Sequence, residues 1–331
     1  MRQGSLVLAL ALLPAACSEL HQASPDGGST APLEDAGDGP DAPPADTDAA
    51  TPDAAAKEHD RESAMWPLPA PSPANADYSV TTATVHDDRT KLDWERVAPV
   101  ATSTWGDADA RCQSLALEGP GWRLPTRIEL LSLVDYGATA PSLNAVVFAV
   151  EAESGTFWSA TPDARSPPGV AWTVAFGAGE SVAVARVAPA RSRCVRGDSP
   201  ARAHYAEDGD RVTDLFTGLA WQRQVTPTSA VTWTEALLAC QSARTGGRSG
   251  WRLPTARELE SIVDVRAAAA PTLRSGLFAT AETGWTFWSI TGVAGTNQAR
   301  VWAISFTPDH ASTTLDSSGG ATARVRCVMS L

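Results

Sequence analysis

The chain has 331 residues and a formal net charge of −12, with 19% charged residues. Its acidity is concentrated in residues 18–70, where 12 Asp and Glu residues face only Lys57 and Arg61. The rest of the chain is close to neutral. Nucleic-acid binding requires a basic field, so this distribution argues against that class of function.

The first 17 residues have the pattern of an export signal. Arg2 is followed by the apolar run SLVLALALL and by small residues before Cys17, and the run is too short to span a bilayer as a mature helix. The sequence LPAAC is similar to a bacterial lipoprotein cleavage site, although Pro14 stands where Leu is usual. We expect an exported outer-membrane lipoprotein with lipid on Cys17, periplasmic or surface-exposed. Secretion without an anchor is the alternative.

Residues 18–74 form a segment of biased composition. They are rich in Ala, Pro, Asp, Gly and Ser and include the stretch DAGDGPDAPPADTDAATPDAAA. Such a segment cannot bury a core, and its like charges repel one another. The composition predicts a disordered acidic linker between the anchor and the folded part of the chain.

The remainder is an internal duplication. The spacing between equivalent residues grows from 127 at Trp94 and Trp221 to 133 at Cys194 and Cys327, as expected when insertions fall in loops. This predicts two homologous domains, residues 75–198 (repeat 1) and 203–331 (repeat 2), each large enough for its own core.

Each repeat opens with a predicted hairpin and a predicted helix. Apolar residues alternate at 85–94 and 212–221, which is typical of paired, half-buried strands. A Thr and an acidic residue three positions later, at 104–107 and 232–235, have the spacing of a capping box. We expect a short helix to follow each box and to carry the first cysteine of its repeat.

The phrase W-R-L-P-T-x-x-E occurs in both repeats. Thr126 and Glu129 have capping-box spacing, Pro125 precedes the cap, and apolar residues follow at helical spacing. We interpret the phrase as a loop end, a helix start and a packing anchor, in which Arg123 pairs with an internal acid or caps carbonyls. The alternative is that the arginines bind an anion. The full motif comprises Trp122, Arg123, Pro125, Thr126 and Glu129, and Trp251, Arg252, Pro254, Thr255 and Glu258.

The C-terminal part of each repeat has the alternation of strands, at 156–161 and 171–176 in repeat 1 and at 286–291 and 301–306 in repeat 2. Four cysteines remain besides Cys17, and an even number in an exported chain predicts disulfides. We expect the pairs Cys112–Cys194 and Cys240–Cys327, each tying a first helix to a last strand. Pairing between the repeats is the alternative.

These motifs in this order, V-x-D-x-x-T-x-L-x-W, a capped helix with Cys, WRLPT-xxEL, FWS, W-x-V/I-x-F and RCV, resemble the Lcl C-terminal domain family over both repeats. This bacterial domain of largely unknown function is named after a collagen-like adhesin. The resemblance implies an α+β fold of two tandem C-type lectin-like domains, each with two short helices and a small, mostly antiparallel sheet. The adhesin binds sulfated glycosaminoglycans, but this chain lacks a Gly-X-Y segment and has only two lysines, so that ligand is not carried over.

Two kinds of residue are candidate ligand contacts. Trp285 has no equivalent in repeat 1 and is a candidate aromatic platform for a sugar ring. Its alternative role is to cover the second core. The other candidates are Arg191 and Arg193, which form a local basic cluster with Arg196, and the pair Arg324 and Arg326. A strand-edge surface feature is the alternative for both clusters.

Catalytic and metal-binding patterns are weak. The five histidines lack metal-ligand spacing, and Asp208, Asp210 and Asp214 lack the glycine and terminal Glu of a calcium loop. We expect no cofactor, no metal and no enzymatic activity. The expected function is a cell-surface binding or adhesion module for a glycan or matrix polymer. The alternatives are a structural envelope protein acting through protein contacts and, more remotely, an enzyme like the formylglycine-generating enzymes.

Overall fold

The computed structural model describes residues 74–138, 142–148, 155–166, 168–198, 205–225, 227–270, 272–273, 276–279, 285–309 and 312–331. All of them belong to one compact unit. The predictions for Cys17 and for the acidic linker before residue 74 lie outside the described residues. In the described part of the chain, no helix combines the length and the apolar character needed to cross a membrane.

Repeat 1 contains seven described strands and two described α-helices. They are β1 (Tyr78–Val80), β2 (Thr84–Asp87), β3 (Leu92–Glu95), α1 (Trp105–Ser114), α2 (Arg127–Ser132), β4 (Thr156–Pro162), β5 (Val170–Ala175), β6 (Glu180–Ala185) and β7 (Val195–Arg196). Strands β2 and β3 form the antiparallel hairpin predicted at 85–94.

Repeat 2 follows the same order. Its elements are β8 (Tyr205–Asp208), β9 (Arg211–Asp214), β10 (Leu219–Gln222), α3 (Trp233–Ser242), α4 (Ala256–Glu260), β11 (Thr286–Gly292), β12 (Arg300–Ser305), β13 (Ser312–Asp316) and β14 (Val328–Ser330). A 3-10 turn at Thr245–Gly247 follows α3.

Each repeat builds one four-stranded and one three-stranded antiparallel sheet. The four-stranded sheets have the orders β1-β2-β3-β7 and β8-β9-β10-β14, and the three-stranded sheets have the orders β4-β5-β6 and β11-β12-β13. In repeat 1 the closing segment bridges both sheets, because Arg191 pairs with Phe157 of β4 and Val195 pairs with Trp94 of β3. The predicted α+β fold with short helices and mostly antiparallel strands is confirmed.

Helix α2 is shorter than its apolar periodicity indicates. The Thr126 hydroxyl accepts a hydrogen bond from the backbone N–H of Glu129, and the Glu129 carboxylate accepts one from the N–H of Thr126, so the capping box is complete. The helix ends at Ser132, and the backbone that follows hydrogen-bonds to a different part of repeat 1. The N–H of Asp135 donates to the carbonyl of Ser142 at 2.9 Å.

The two repeats share their principal hydrophobic core. That core joins residues of both halves, and the rings of Tyr136 and Trp302 meet edge to face at 5.6 Å across the repeats. Each repeat also has a small core of its own around its cysteine pair. The expectation of a separate core for each domain therefore holds only for these small cores. All six residues of α2 are buried, and Arg127 of this helix binds Glu260 of repeat 2.

Candidate functional site

The arginine of the repeated phrase W-R-L-P-T binds an internal acid in both repeats. The Nη1 and Nη2 atoms of Arg123 donate to the Glu129 carboxylate at 2.8 and 2.6 Å. Arg252 and Glu258 repeat this geometry at the same distances. The same glutamates close the capping boxes of α2 and α4. This geometry supports the architectural interpretation of the motif over anion binding.

The remaining motif residues attach each second helix to the fold around it. The indole of Trp122 is buried and donates to the Leu117 carbonyl at 2.9 Å. The Pro125 carbonyl accepts from the N–H of Ala160 in β4 at 2.7 Å. In repeat 2, Trp251 is buried in the same way, and the Pro254 carbonyl accepts from Ile290 at 2.7 Å.

Both predicted disulfides form within the repeats. Cys112 of α1 bonds to Cys194, and Cys240 of α3 bonds to Cys327, with Cα atoms 5.4 Å apart in each pair. All four cysteines are buried. Each bond joins the first α-helix of its repeat to the segment that leads into the closing strand, as expected.

The four candidate arginines of the basic clusters are buried, which corrects both interpretations made for them from the sequence, whereas Arg196 is partly exposed and binds Asp93 at 2.7 Å. Arg191, Arg193, Arg324 and Arg326 are at most 9% exposed, so they are neither ligand contacts on the surface nor strand-edge features. The cause is their position on closing segments that run between two sheets.

The buried guanidinium groups donate to backbone carbonyls and stack on aromatic rings. Arg193 stacks 4.8 Å from the Phe148 ring centroid and donates to the carbonyls of residues 95 and 96. Arg326 stacks 4.7 Å from Phe278 and donates to the carbonyls of residues 222 and 223 at 2.6 and 2.8 Å.

Trp285 is half-buried and packs against the principal core. Its carbonyl accepts from the N–H of Phe306 at 2.8 Å, which fixes the backbone at the start of β11. This position favours the core-covering role over an exposed aromatic platform.

The acidic residues near the start of repeat 2 do not converge. Asp208 is exposed and forms an ion pair with Arg211, whereas Asp214 is buried and accepts from Phe216 and Thr217. Within the described residues, no group of three or more His, Cys, Asp or Glu side chains could hold a metal ion.

An open cleft in repeat 2 lies between α3, the end of β10 and the turn at Thr245–Gly247. We call it the α3 cleft. Its volume is about 560 Å³, and its lining includes Gln222, Glu235, Leu238, Ala239, Ala243 and Thr245. A cleft of this size falls in the range of small-ligand sites, roughly 300–1,000 Å³.

Hydrogen bonds hold the floor of the α3 cleft. Gln222 is buried, and its Oε1 accepts from the N–H of Cys327 at 3.1 Å while its Nε2 donates to Thr245 Oγ1 at 2.7 Å. Gly246 and Gly247 follow with φ values of 61° and 70°. This left-handed backbone favours glycine and lets the turn present Thr245 to the cleft.

A carboxylate lies at the mouth of the α3 cleft. The backbone N–H and the hydroxyl of Thr232 both donate to Glu235 Oε2 at 2.8 Å. These hydrogen bonds lower the pKa of Glu235 from its ordinary value, so the side chain is ionised at neutral pH.

Repeat 1 fills the corresponding position with an ion pair. Arg111 of α1 forms an ion pair with the buried Glu95, and its Nη1 donates to Ser192 Oγ at 3.2 Å. The second oxygen of Glu95 accepts from the N–H of Cys194 at 3.1 Å, as Gln222 does from Cys327 in repeat 2.

The sequence prediction missed the α3 cleft, although its signal is visible when the repeats are aligned. Three residues of repeat 1 are exchanged for neutral or smaller ones in repeat 2. The exchanges are Glu95 for Gln222, Arg111 for Ala239 and Leu115 for Ala243. The duplication is defined by shared residues, whereas this site depends on residues that differ between the repeats.

Comparison with known proteins agrees with the duplicated architecture. The Lcl C-terminal domain matches the chain twice, at residues 83–196 and 210–329, which together make up more than half of its length. No curated protein matches the chain significantly. The chain therefore belongs to the Lcl C-terminal domain family, of which it carries two tandem copies.

Proposed function

We propose that this protein is a non-enzymatic binding lipoprotein of a bacterial cell envelope that recognises a glycan. In this proposal, lipid on Cys17 anchors the chain in the outer membrane, the acidic segment at 18–74 acts as a tether, and two C-type lectin-like domains form the head. The observation that carries the proposal is the α3 cleft.

The composition of the α3 cleft supports ligand binding. Small-ligand sites combine mostly apolar walls with a few placed polar groups. Here Leu238, Ala239 and Ala243 supply apolar surface, and Glu235 and Thr245 supply polar groups. The polar groups are held by neighbouring hydrogen bonds before a ligand arrives, which reduces the entropy lost on binding.

Cysteine pairing supports a non-catalytic role. An enzyme like the formylglycine-generating enzymes needs a reactive cysteine pair, whereas the four cysteines in the described part of the chain are joined in two disulfides. We therefore assign these cysteines to stability.

A glycan array on the full-length chain, purified in detergent, tests this function. The array carries neutral, sialylated and sulfated glycans and is probed in moderate salt after intact mass has verified both disulfides. We expect saturable, salt-resistant binding to a narrow set of glycans, and the same protein after reduction and denaturation is the control. A folded chain that binds no glycan would contradict the proposal, and an assembly role through protein contacts would then be tested by sedimentation.

A further inference from the structure

We infer that the ligand site belongs to repeat 2 alone, in the α3 cleft, and that it takes an uncharged saccharide. This inference rests on the proposed glycan-binding function and adds to it a location and a ligand class. The juxtaposition that carries it is the cleft of repeat 2 at the position where repeat 1 holds the Arg111–Glu95 ion pair.

Two large side chains of repeat 1 stand at this position. Arg111 lies in the last turn of α1, and Leu115 is the residue that caps the end of the helix. Arg111 pairs with Glu95, and Leu115 packs against the small core around the disulfide. Together they take up the place of a ligand.

Repeat 2 has alanine at both of these positions. Ala239 and Ala243 line the α3 cleft, and neutral Gln222 replaces the glutamate beneath them. The amide keeps the bond to the backbone N–H of Cys327 at 3.1 Å. A charge that would be costly to bury without its partner is therefore gone, and the floor remains satisfied without an arginine.

The hydrogen-bonding groups of the cleft match hydroxyl groups. Thr245 Oγ1 accepts from Gln222 Nε2 at 2.7 Å, so its own proton is left to donate to a ligand. Ser242 donates its proton to the Leu238 carbonyl at 2.7 Å, so its oxygen is left to accept. Each hydroxyl of a sugar both donates and accepts, so neighbouring sugar hydroxyls fit this alternation.

The charge balance favours an uncharged ligand. Glu235 and Arg244 both line the cleft and have opposite charges. A sulfated or phosphorylated ligand would need an excess of cationic groups. A cationic ligand would need a buried carboxylate such as Glu95 of repeat 1. Neutral Gln222 stands at that position in repeat 2.

The apolar wall suits the C–H face of a sugar ring. Leu238 lines the cleft, and its side chain is 59% exposed and open to contact from solvent. Ala110 stands at the equivalent position in repeat 1. A ring seated against Leu238 would remove this apolar surface from water.

Exchange of the site between the repeats tests the inference. The double variant Gln222→Glu with Ala239→Arg rebuilds the repeat 1 ion pair in repeat 2 and fills the cleft. We expect it to bind the strongest neutral glycan of the array about tenfold more weakly or worse, measured by calorimetry on the full-length chain. The matched control, Glu95→Gln with Arg111→Ala, empties the corresponding position of repeat 1 and is expected to leave the affinity unchanged.

A second pair of variants guards against misfolding. Leu238→Ala changes an exposed side chain of the cleft and is expected to weaken binding several-fold, whereas Val187→Ala changes a side chain of repeat 1 that is 84% exposed and is expected to have no effect. Unchanged affinity in both cleft variants, or array binding restricted to sulfated glycans, would overturn this inference while the glycan-binding function stood. A wild-type chain that binds no glycan would overturn both.

Discussion

Buried arginines shape the interior of this protein. Arg127, Arg193 and Arg326 are among its largest fully buried side chains. A guanidinium group is planar and weakly hydrated, so it can stack on rings while its N–H groups donate to carbonyls. Arg193 and Arg326 do both in equivalent places. Arg193 and Arg326, which stand just before the closing strands, therefore belong to the core.

The equivalent residues Asp87 and Asp214 have different partners in the two repeats. In repeat 1 the Asp87 carboxylate binds Arg89 at 2.8 Å. In repeat 2 Phe216 replaces the arginine, and Asp214 accepts only from Phe216 and Thr217 in the described contacts. Burial raises the pKa of Asp214, and these hydrogen bonds offset part of the increase.

The substitution Asp214→Asn should therefore reduce the pH dependence of stability. Because the folded-state pKa is raised, the native state holds this proton more tightly than the unfolded state, and stability is lost as pH rises from the unfolded-state pKa, about 3.9, through the folded-state pKa. We expect the free energy of unfolding to fall less with rising pH in the variant, as measured by urea unfolding from about pH 4 to pH 7.

Asp87→Asn is the matched control for this experiment. It is expected to lower stability, because Arg89 is half-buried and loses its carboxylate partner. A pH dependence of Asp214→Asn identical to that of the wild type would contradict the assignment of the raised pKa to Asp214.

The second helices of the repeats depend on their first turns. Helix α2 has six residues and α4 has five, and helices this short are not stable by themselves in water. A complete capping box and a bidentate Arg–Glu pair stand at the start of each. At α1 the predicted box is incomplete: the Thr104 hydroxyl accepts from the N–H of Asp107, but the Asp107 carboxylate accepts from that hydroxyl and not from the backbone N–H of Thr104. The repeated phrase therefore fixes the helix start and its attachment together.

Substitution of the motif glutamates should affect the repeats unequally. The Glu129 side chain is 0% exposed and that of Glu258 is 16% exposed. Their arginine partners, Arg123 and Arg252, are 29% and 39% exposed. Loss of a hydrogen-bonded charge is more damaging where the pair as a whole is better shielded from water. We expect Glu129→Gln to lower the free energy of unfolding by about 2–3 kcal/mol and Glu258→Gln by about 1 kcal/mol in chemical denaturation. Equal losses would show that burial of the pair does not set its strength.

A buried ion pair joins the two halves of the molecule. Arg127 of α2 binds Glu260 of α4 at 2.5 Å, with both side chains at most 1% exposed. Ser181 accepts from Arg127, and Ser312 donates to Glu260 at 3.1 Å, so a hydroxyl from each repeat completes the pair.

This contact is asymmetric although the repeats are duplicated. Ala256 stands at the repeat 2 position equivalent to Arg127, and Leu131 stands at the repeat 1 position equivalent to Glu260. Neither repeat could form the pair with a copy of itself. The duplicated halves are therefore matched to each other, and we expect them to unfold as a single unit because they share one core.

Single and double substitutions test whether the two repeats unfold together. Arg127→Leu should lower the free energy of unfolding by about 3–5 kcal/mol, because it leaves Glu260 buried without its partner. The double variant with Glu260→Leu should recover most of that loss. Denaturant unfolding followed by tryptophan fluorescence should show one transition for both repeats. A separate transition for each repeat, or a wild-type midpoint for Arg127→Leu, would contradict the single folding unit.

Local and repeated features were predictable from the sequence. The duplication, the hairpins, the helix starts at Thr126 and Thr255 and the pairing of cysteines within each repeat all appear in the structure as expected. These features depend on residues close in the chain, or on positions that the duplication marks twice. Short-range hydrogen bonds and alternation of apolar residues are enough to specify the hairpins and the helix starts. The cysteine pairs join residues 82 and 87 positions apart, and the duplication marks them.

Burial, the shared core and the α3 cleft were decided by the tertiary structure. Arg127 and Glu260 are 133 residues apart, and nothing in either local sequence shows that they meet. The local sequence around Arg193 would be the same on a surface strand as it is between two sheets. Its burial therefore follows only from the path of the closing segment. The cleft likewise depends on how α3 and β10 pack, because the alanines there leave a space only if no other side chain fills it.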